Sequence, residues 1–134
     1  MISKRDLLSA LWVFVTLNYL YCDLIGLMDS NLLNQYLTGN VEGLKVDESF
    51  LFFAGVLMEI PILMVLLSKL LRKKANCWAN IVAGTIKTIL MIVTLFIGKL
   101  THYYLFFASI EIATTTFIVG FALRWLRQKS IDTV

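Results

Sequence analysis

The chain has 134 residues, enough for a single domain spanning 1–134, and is 59% hydrophobic and 16% charged. Soluble domains run at roughly 45–50% apolar and about 25% charged, and a globule this small has too much surface for its volume to hide the excess. The formal net charge of +3 sits in short basic runs between apolar stretches and forms no broad face, which argues against nucleic acid as a partner.

Four apolar stretches follow one another, and they predict transmembrane helices at about 7–28, 50–71, 77–100 and 103–126. Each holds roughly 20 residues or more, which at about 1.5 Å per residue crosses about 30 Å of hydrocarbon. None alternates with period two, so a β-barrel is not expected. Residues 7–28 are longer than the core of a secretion signal and have no small-residue cleavage site after them, so this stretch is expected to remain as an anchor. Start signals accompany the helices. Ser3 with Asp6 resembles a capping box, Asp47 or Ser49 can cap the second helix, Asn76 the third and Thr101 the fourth. The loop at 29–48 is the only long connection. Within it, residues 31–37 (NLLNQYL) can form a short interfacial helix ended at Thr38-Gly39. The expected fold is therefore an all-α integral membrane protein, a four-transmembrane-helix bundle.

Orientation follows from lysine and arginine placement. Lys4 and Arg5, Lys69, Arg72, Lys73 and Lys74, and Arg124, Arg127 and Lys129 fall on one side. Lys45 and Lys99 fall on the other, and Lys87 lies within a helix. The imbalance predicts both termini on the cytoplasmic side. Trp12, Trp78 and Trp125 lie toward the inner ends, and His102, Tyr103 and Tyr104 toward an outer end, as an interfacial aromatic belt would.

Cys22 and Cys77 fall on opposite sides of the bilayer in this topology and cannot bridge within one chain. One histidine, no C-x-x-C pair, no glycine-rich phosphate loop and no nucleophile elbow leave no expected metal or cofactor.

Ionisable residues inside the apolar stretches are the informative feature. Glu59, Lys87 and Glu111 fall near the middle of their helices, and Asp23 falls about one and a half turns from the outer end of the first. A charge at the bilayer centre costs about 2.5–3.5 kcal/mol on insertion scales, so such groups are expected to face inward and find partners. Helical spacing aligns Trp12, Thr16, Tyr19, Asp23 and Gly26 on the first helix, and Gly55 with Glu59 on the second. It aligns Asn80, Gly84, Lys87, Thr88 and Met91 on the third, and Tyr104, Ala108, Glu111, Thr115 and Ala122 on the fourth. Small residues in each stripe allow close helix approach, so the stripes are expected to face one another around a polar interior. Pro61, the only proline, leaves the Leu57 carbonyl without its helical donor beside Glu59. The bland alternative is a buried ion pair between Lys87 and Glu59 or Glu111 that sets register alone.

Residues 17–24 (LNYLYCDL), 58–71 (MEIPILMVLLSKLL) and 76–84 (NCWANIVAG), with Ile110-Glu111, carry a family resemblance. The chain resembles the uncharacterised bacterial four-helix membrane proteins grouped as DUF6326, over nearly its whole length. The resemblance implies a bacterial inner-membrane protein and brings no activity, substrate or cofactor. Where the family pattern places arginine between the asparagine and tryptophan of the third run, this chain has Cys77. In layout alone, four helices with the long loop after the first are similar to the DoxX-like group.

Three functions are compatible with this reading. The leading expectation is a module that binds or transports a small molecule, lipid ligand, proton or cation at Tyr19, Asp23, Glu59, Asn80, Lys87 and Glu111, working as a homodimer in the lipid bilayer. The second is a membrane enzyme using acid–base chemistry on a lipid-soluble substrate, against which stand the lack of a core histidine and of a nucleophile–base pair. The third is a structural or accessory subunit.

Overall fold

The computed structural model describes residues 2–97 and 99–128; Lys129, counted above among the basic residues, lies outside the described residues. The elements are α1 (Lys4–Met28), α2 (Ser30–Thr38), β1 (Asn40–Val41), β2 (Leu44–Lys45), α3 (Glu48–Leu70), α4 (Lys73–Leu95) and α5 (His102–Arg127). Of these, α1, α3, α4 and α5 are long and apolar enough to cross a membrane.

Local chemistry explains most of the ends. Ser3 Oγ accepts from the Asp6 N–H at 3.1 Å at the start of α1. Asp47 caps α3 through the Phe50 N–H, and Thr101 caps α5 through the Tyr104 N–H. Gly39, at φ +80°, takes the left-handed position that stops α2. The rest of the long loop is a small antiparallel hairpin of β1 and β2, turning at Glu42 and Gly43, both with positive φ. A two-residue turn of that kind matches the twist of the strands it joins.

The third membrane-length helix departs from expectation. It runs over Lys73–Leu95 rather than 77–100. Asn76 does not cap it. Arg72 occupies the cap position without a side-chain hydrogen bond, and Asn76 lies inside the first turn. Beginning the helix a turn early leaves residues 96–101 to join α4 to α5. Antiparallel helices need a link of several residues to reverse direction, and the expected boundaries left almost none.

Around the bundle, α1 packs on α3 and α5, and α4 packs on α5 and α3. The α4–α5 seam is the most extensive and the α3–α4 seam the thinnest. The pairs α1–α4 and α3–α5 therefore lie on the diagonals. The start of α1 and the end of α5 lie at one end of the bundle, called here the terminal end, where Lys4 Nζ donates to Gln128 Oε1 at 2.6 Å. The α2 and hairpin segment marks the opposite, hairpin end.

The terminal half is solidly packed. Leu8, Trp12, Val15, Met64, Cys77, Ile118 and Trp125 form one buried cluster. This corrects the aromatic-belt expectation for two tryptophans: Trp12 and Trp125 are core residues, whereas Trp78 is exposed. An indole can be buried when its N–H finds an acceptor, and Trp12 Nε1 donates to Asn80 Oδ1 at 2.7 Å. At the α4–α5 seam, Gly84 removes the side chain where the helices meet. A Cβ there would sit 2.6 Å from Val119 Cγ2 and 3.3 Å from the Thr115 carbonyl oxygen. Thr88 also donates to Thr115 Oγ1 at 2.7 Å across this seam.

Candidate functional site

Toward the hairpin end the four long helices separate around a cavity of about 510 Å³. α1 contributes Tyr19, Cys22, Asp23 and Leu27, and α2 contributes Tyr36. α3 contributes only apolar side chains: Phe50, Ala54, Leu57 and Met58. α4 lines it with Lys87, Leu90, Met91 and Thr94, and α5 with Tyr104 and Glu111. The wall is mostly apolar with a few polar groups, all from elements other than α3, the usual make-up of a small-molecule site.

Helical spacing produces this arrangement. Tyr19 and Asp23 are four residues apart, one turn along the same side of α1. On α4, Lys87, Leu90, Met91 and Thr94 follow the three-and-four spacing of a single face. Glu111 sits one turn before Thr115, whose hydroxyl donates to the Glu111 carbonyl at 2.9 Å. That bond engages the glutamate backbone and leaves its carboxyl untouched.

Glu111 is 1% exposed, and neither carboxylate oxygen has a hydrogen-bond partner among the described residues. Buried polar groups are paired in the great majority of cases, and leaving one unpaired costs on the order of 1–3 kcal/mol or more. The buried Tyr19 hydroxyl is also without a partner among the described residues. Lys87 is buried too, with Nζ 4.3 Å from the Tyr19 ring centroid, a cation–π contact. The ion pair of Lys87 with Glu59 or Glu111 is absent: the one salt bridge among the described residues joins exposed Lys69 and Asp6 at 3.3 Å.

Tyr104 is half-buried at the cavity. Its hydroxyl bonds to Thr94 Oγ1 at 2.6 Å, tying α5 to α4. Tyr103 Oη lies 3.3 Å from Asp29 Oδ2 beside the start of α2. Partial burial, and secondarily the Asp23 charge, raises the Tyr36 phenol above its ordinary value.

Of the six candidates named from sequence, Tyr19, Asp23, Lys87 and Glu111 line one cavity. Glu59 and Asn80 do not. Glu59 is exposed on the outside of α3, on the same face as Gly55, where an added Cβ would meet nothing within 4 Å. The reason is the packing of α3, which buries Pro61, Met64 and Ser68 and so turns the Gly55–Glu59 face outward. Leu57, the residue whose carbonyl Pro61 cannot serve, does line the cavity.

Asn80 is fully buried in the terminal half, with all its hydrogen bonds inside the protein. Its Oδ1 accepts from Trp12 and, at 3.4 Å, from Ser68, and its Nδ2 donates to Asn76. Asn76 Nδ2 in turn donates to the Ser68 carbonyl at 2.6 Å. This network joins α1, α3 and α4 and leaves no capacity for a ligand.

Cavity residues that the sequence reading did not name as site candidates include Cys22, Tyr36, Phe50, Ala54, Leu90 and Thr94. Tyr36 carries a partial signal, because the NLLNQYL run predicts the helix that brings it over the mouth. Among the described residues, no group of three or more His, Cys, Asp or Glu side chains is placed to hold a metal ion.

A family of unknown function, DUF6326, matches residues 2–132, and the chain belongs to that family. No curated protein sequence and no solved structure matches it.

Proposed function

We propose that this DUF6326 member binds a small amphipathic molecule in the hairpin-end cavity, drawing it from the membrane. The observation that carries this reading is the unpartnered, buried Glu111 carboxyl on the wall of a 510 Å³ space otherwise lined largely by apolar side chains. A carboxyl kept without a donor inside an apolar bundle is a standing cost, and a polar ligand group would offset it. The division of labour along the wall supports an amphipathic ligand. α3 offers only apolar surface, while α1, α4 and α5 supply the polar groups.

Both termini are assigned to the cytoplasmic side of a bacterial inner membrane. The terminal end carries Lys4, Arg5, Lys69, Arg72, Lys73, Lys74, Arg124 and Arg127, which supports this orientation through the positive-inside tendency. The cavity then opens toward the outer leaflet. The homodimer expected from sequence would place Gly55 and Glu59 of α3 against a second copy. That contact would cover a carboxyl otherwise facing lipid, and the glycine would let the helices approach closely.

Ala54→Trp tests the cavity reading, because Ala54 is a small, half-buried wall residue. Protein purified from its own membranes is extracted with organic solvent, and the extract is analysed by mass spectrometry. A small molecule present in stoichiometric amount with the wild type and lost from Ala54→Trp is the expected result. Identical extracts from the two proteins would remove the proposal. For the dimer, Glu59→Leu is expected to lower the dimer fraction in nanodiscs, and an unchanged fraction contradicts the α3 contact.

A further inference from the structure

We infer that the cavity's ligand is a lipophilic amine in its protonated form, seated with its ammonium group against Glu111 and its apolar tail along α3. This rests on the binding reading above and narrows its ligand class.

The cavity's charge balance is the first ground. Its ionisable side chains from α1, α4 and α5 include two acids, Asp23 and Glu111, and a single base, Lys87. Lys87 Nζ lies over the Tyr19 ring and makes no salt bridge, so neither acid is neutralised by an ion pair. An anionic head that met Lys87 would still sit beside two carboxyl groups. A cationic head meets the opposite sign.

Hydrogen-bonding capacity is the second ground. Both Glu111 oxygens are buried acceptors without donors. An ammonium group carries three N–H donors and no acceptor, so it can satisfy both oxygens at once. A ligand carboxylate has no donor to offer, and a hydroxyl has one. Charge-assisted bonds of the ammonium–carboxylate kind are roughly twice as strong as neutral ones.

Depth is the third ground and gives the ligand its direction. Glu111 is buried, whereas Leu27, Tyr36 and Phe50 remain exposed in the isolated chain. The head therefore lies deep and the tail runs past Leu57 and Met58 toward the hairpin-end mouth.

The test uses the full-length protein in lipid nanodiscs at neutral pH with four probes of one chain length: dodecylamine, dodecyltrimethylammonium, dodecanol and dodecanoate. A primary alkylamine resembles a lysine side chain, with a pKa of about 10.4, and is protonated under these conditions. Bound probe is counted by native mass spectrometry across a concentration series. Dodecylamine is expected to bind tightest, the trimethylammonium probe next because it keeps the charge and loses the N–H donors, and dodecanoate weakest.

Glu111→Gln keeps the side-chain size and is expected to weaken dodecylamine by roughly tenfold or more, the scale of one charge-assisted contact. Dodecanol should change far less. Asp23→Asn serves as a second variant and should also reduce the preference for the amine over the alcohol. Glu59→Gln, outside the cavity, should leave the ranking intact.

Equal binding of dodecanol or dodecanoate overturns the cationic assignment and leaves the cavity reading standing. A failure of dodecylamine to bind, or a preference for it unmoved by Glu111→Gln, also overturns the assignment. Binding of all four probes that survives Ala54→Trp overturns the cavity reading itself.

Discussion

Trp12 Nε1 donates to Asn80 Oδ1 at 2.7 Å across the diagonal of the bundle, joining α1 to α4 in the packed half. Asn80 passes the connection on to Asn76, which bonds to the Ser68 carbonyl of α3. Three helices thus meet at one closed polar network beneath the cavity. Every polar side-chain atom in it has a partner inside the protein, so the network belongs to stability. Asn80→Ala is expected to destabilise the fold by about 1–3 kcal/mol, because the buried indole N–H and the Asn76 amide each lose a partner. Unfolding in mixed micelles would measure this. A folded Asn80→Ala protein should bind dodecylamine, the probe proposed for the cavity, as the wild type does, and loss of binding at unchanged stability would contradict the structural role.

Two glycines should respond in opposite ways to the same substitution. Gly84→Ala places a methyl 2.6 Å from Val119 Cγ2 and 3.3 Å from a backbone carbonyl of α5. The two helices must move apart, at a cost of about 1–3 kcal/mol. Gly55→Ala meets nothing within 4 Å. There the gain in helix propensity, up to about 1 kcal/mol, is unopposed within one chain. Parallel unfolding of the two variants reads both signs.

Glu111 is expected to lower stability in exchange for binding. In ligand-free protein, Glu111→Leu removes two unpaired buried oxygens and keeps an apolar side chain in the same space. The variant should gain about 1–3 kcal/mol and lose the stabilisation that the proposed ligand would confer. Thermal unfolding with and without dodecylamine would show the crossover. A less stable ligand-free variant would mean that Glu111 has a partner in the membrane after all.

Tyr36 predicts an alkaline effect with a definite sign. Its phenol is raised above the ordinary value of 10.0, first by burial and then by Asp23. The folded state therefore favours the neutral phenol. That contribution is fully present below the ordinary value of 10.0 and is lost as pH rises from there through the raised folded-state value. Tyr36→Phe should reduce the loss of stability on the alkaline side. The difference in ultraviolet absorbance between wild type and variant should show this phenol ionising later than a free tyrosine. A step at the ordinary value would argue that α2 stands away from the bundle.

Much of the architecture is written in local chemistry. Four apolar runs of membrane-spanning length, the caps at Ser3, Asp47 and Thr101, and the stop at Gly39 each depend on a few neighbouring residues, so the sequence alone places them. The same holds for Asp23, Lys87 and Glu111 as ionisable groups within apolar helices.

Which way each stripe points was decided by the tertiary structure. In a water-soluble helix the polar face marks solvent, but a helix built for lipid is apolar on every side, and periodicity then defines a face without aiming it. Glu59 and Glu111 look alike in sequence. Packing of Met64 and Ser68 turns Glu59 outward, while close approach at Gly84 and Thr115 draws the Glu111 face of α5 inward. Partner choice was likewise beyond the linear pattern. Asn80 is consumed by an indole 68 residues away, and Lys87 rests on a tyrosine ring rather than a carboxylate. Such pairings depend on contacts between distant residues, which exist only once the four helices are assembled.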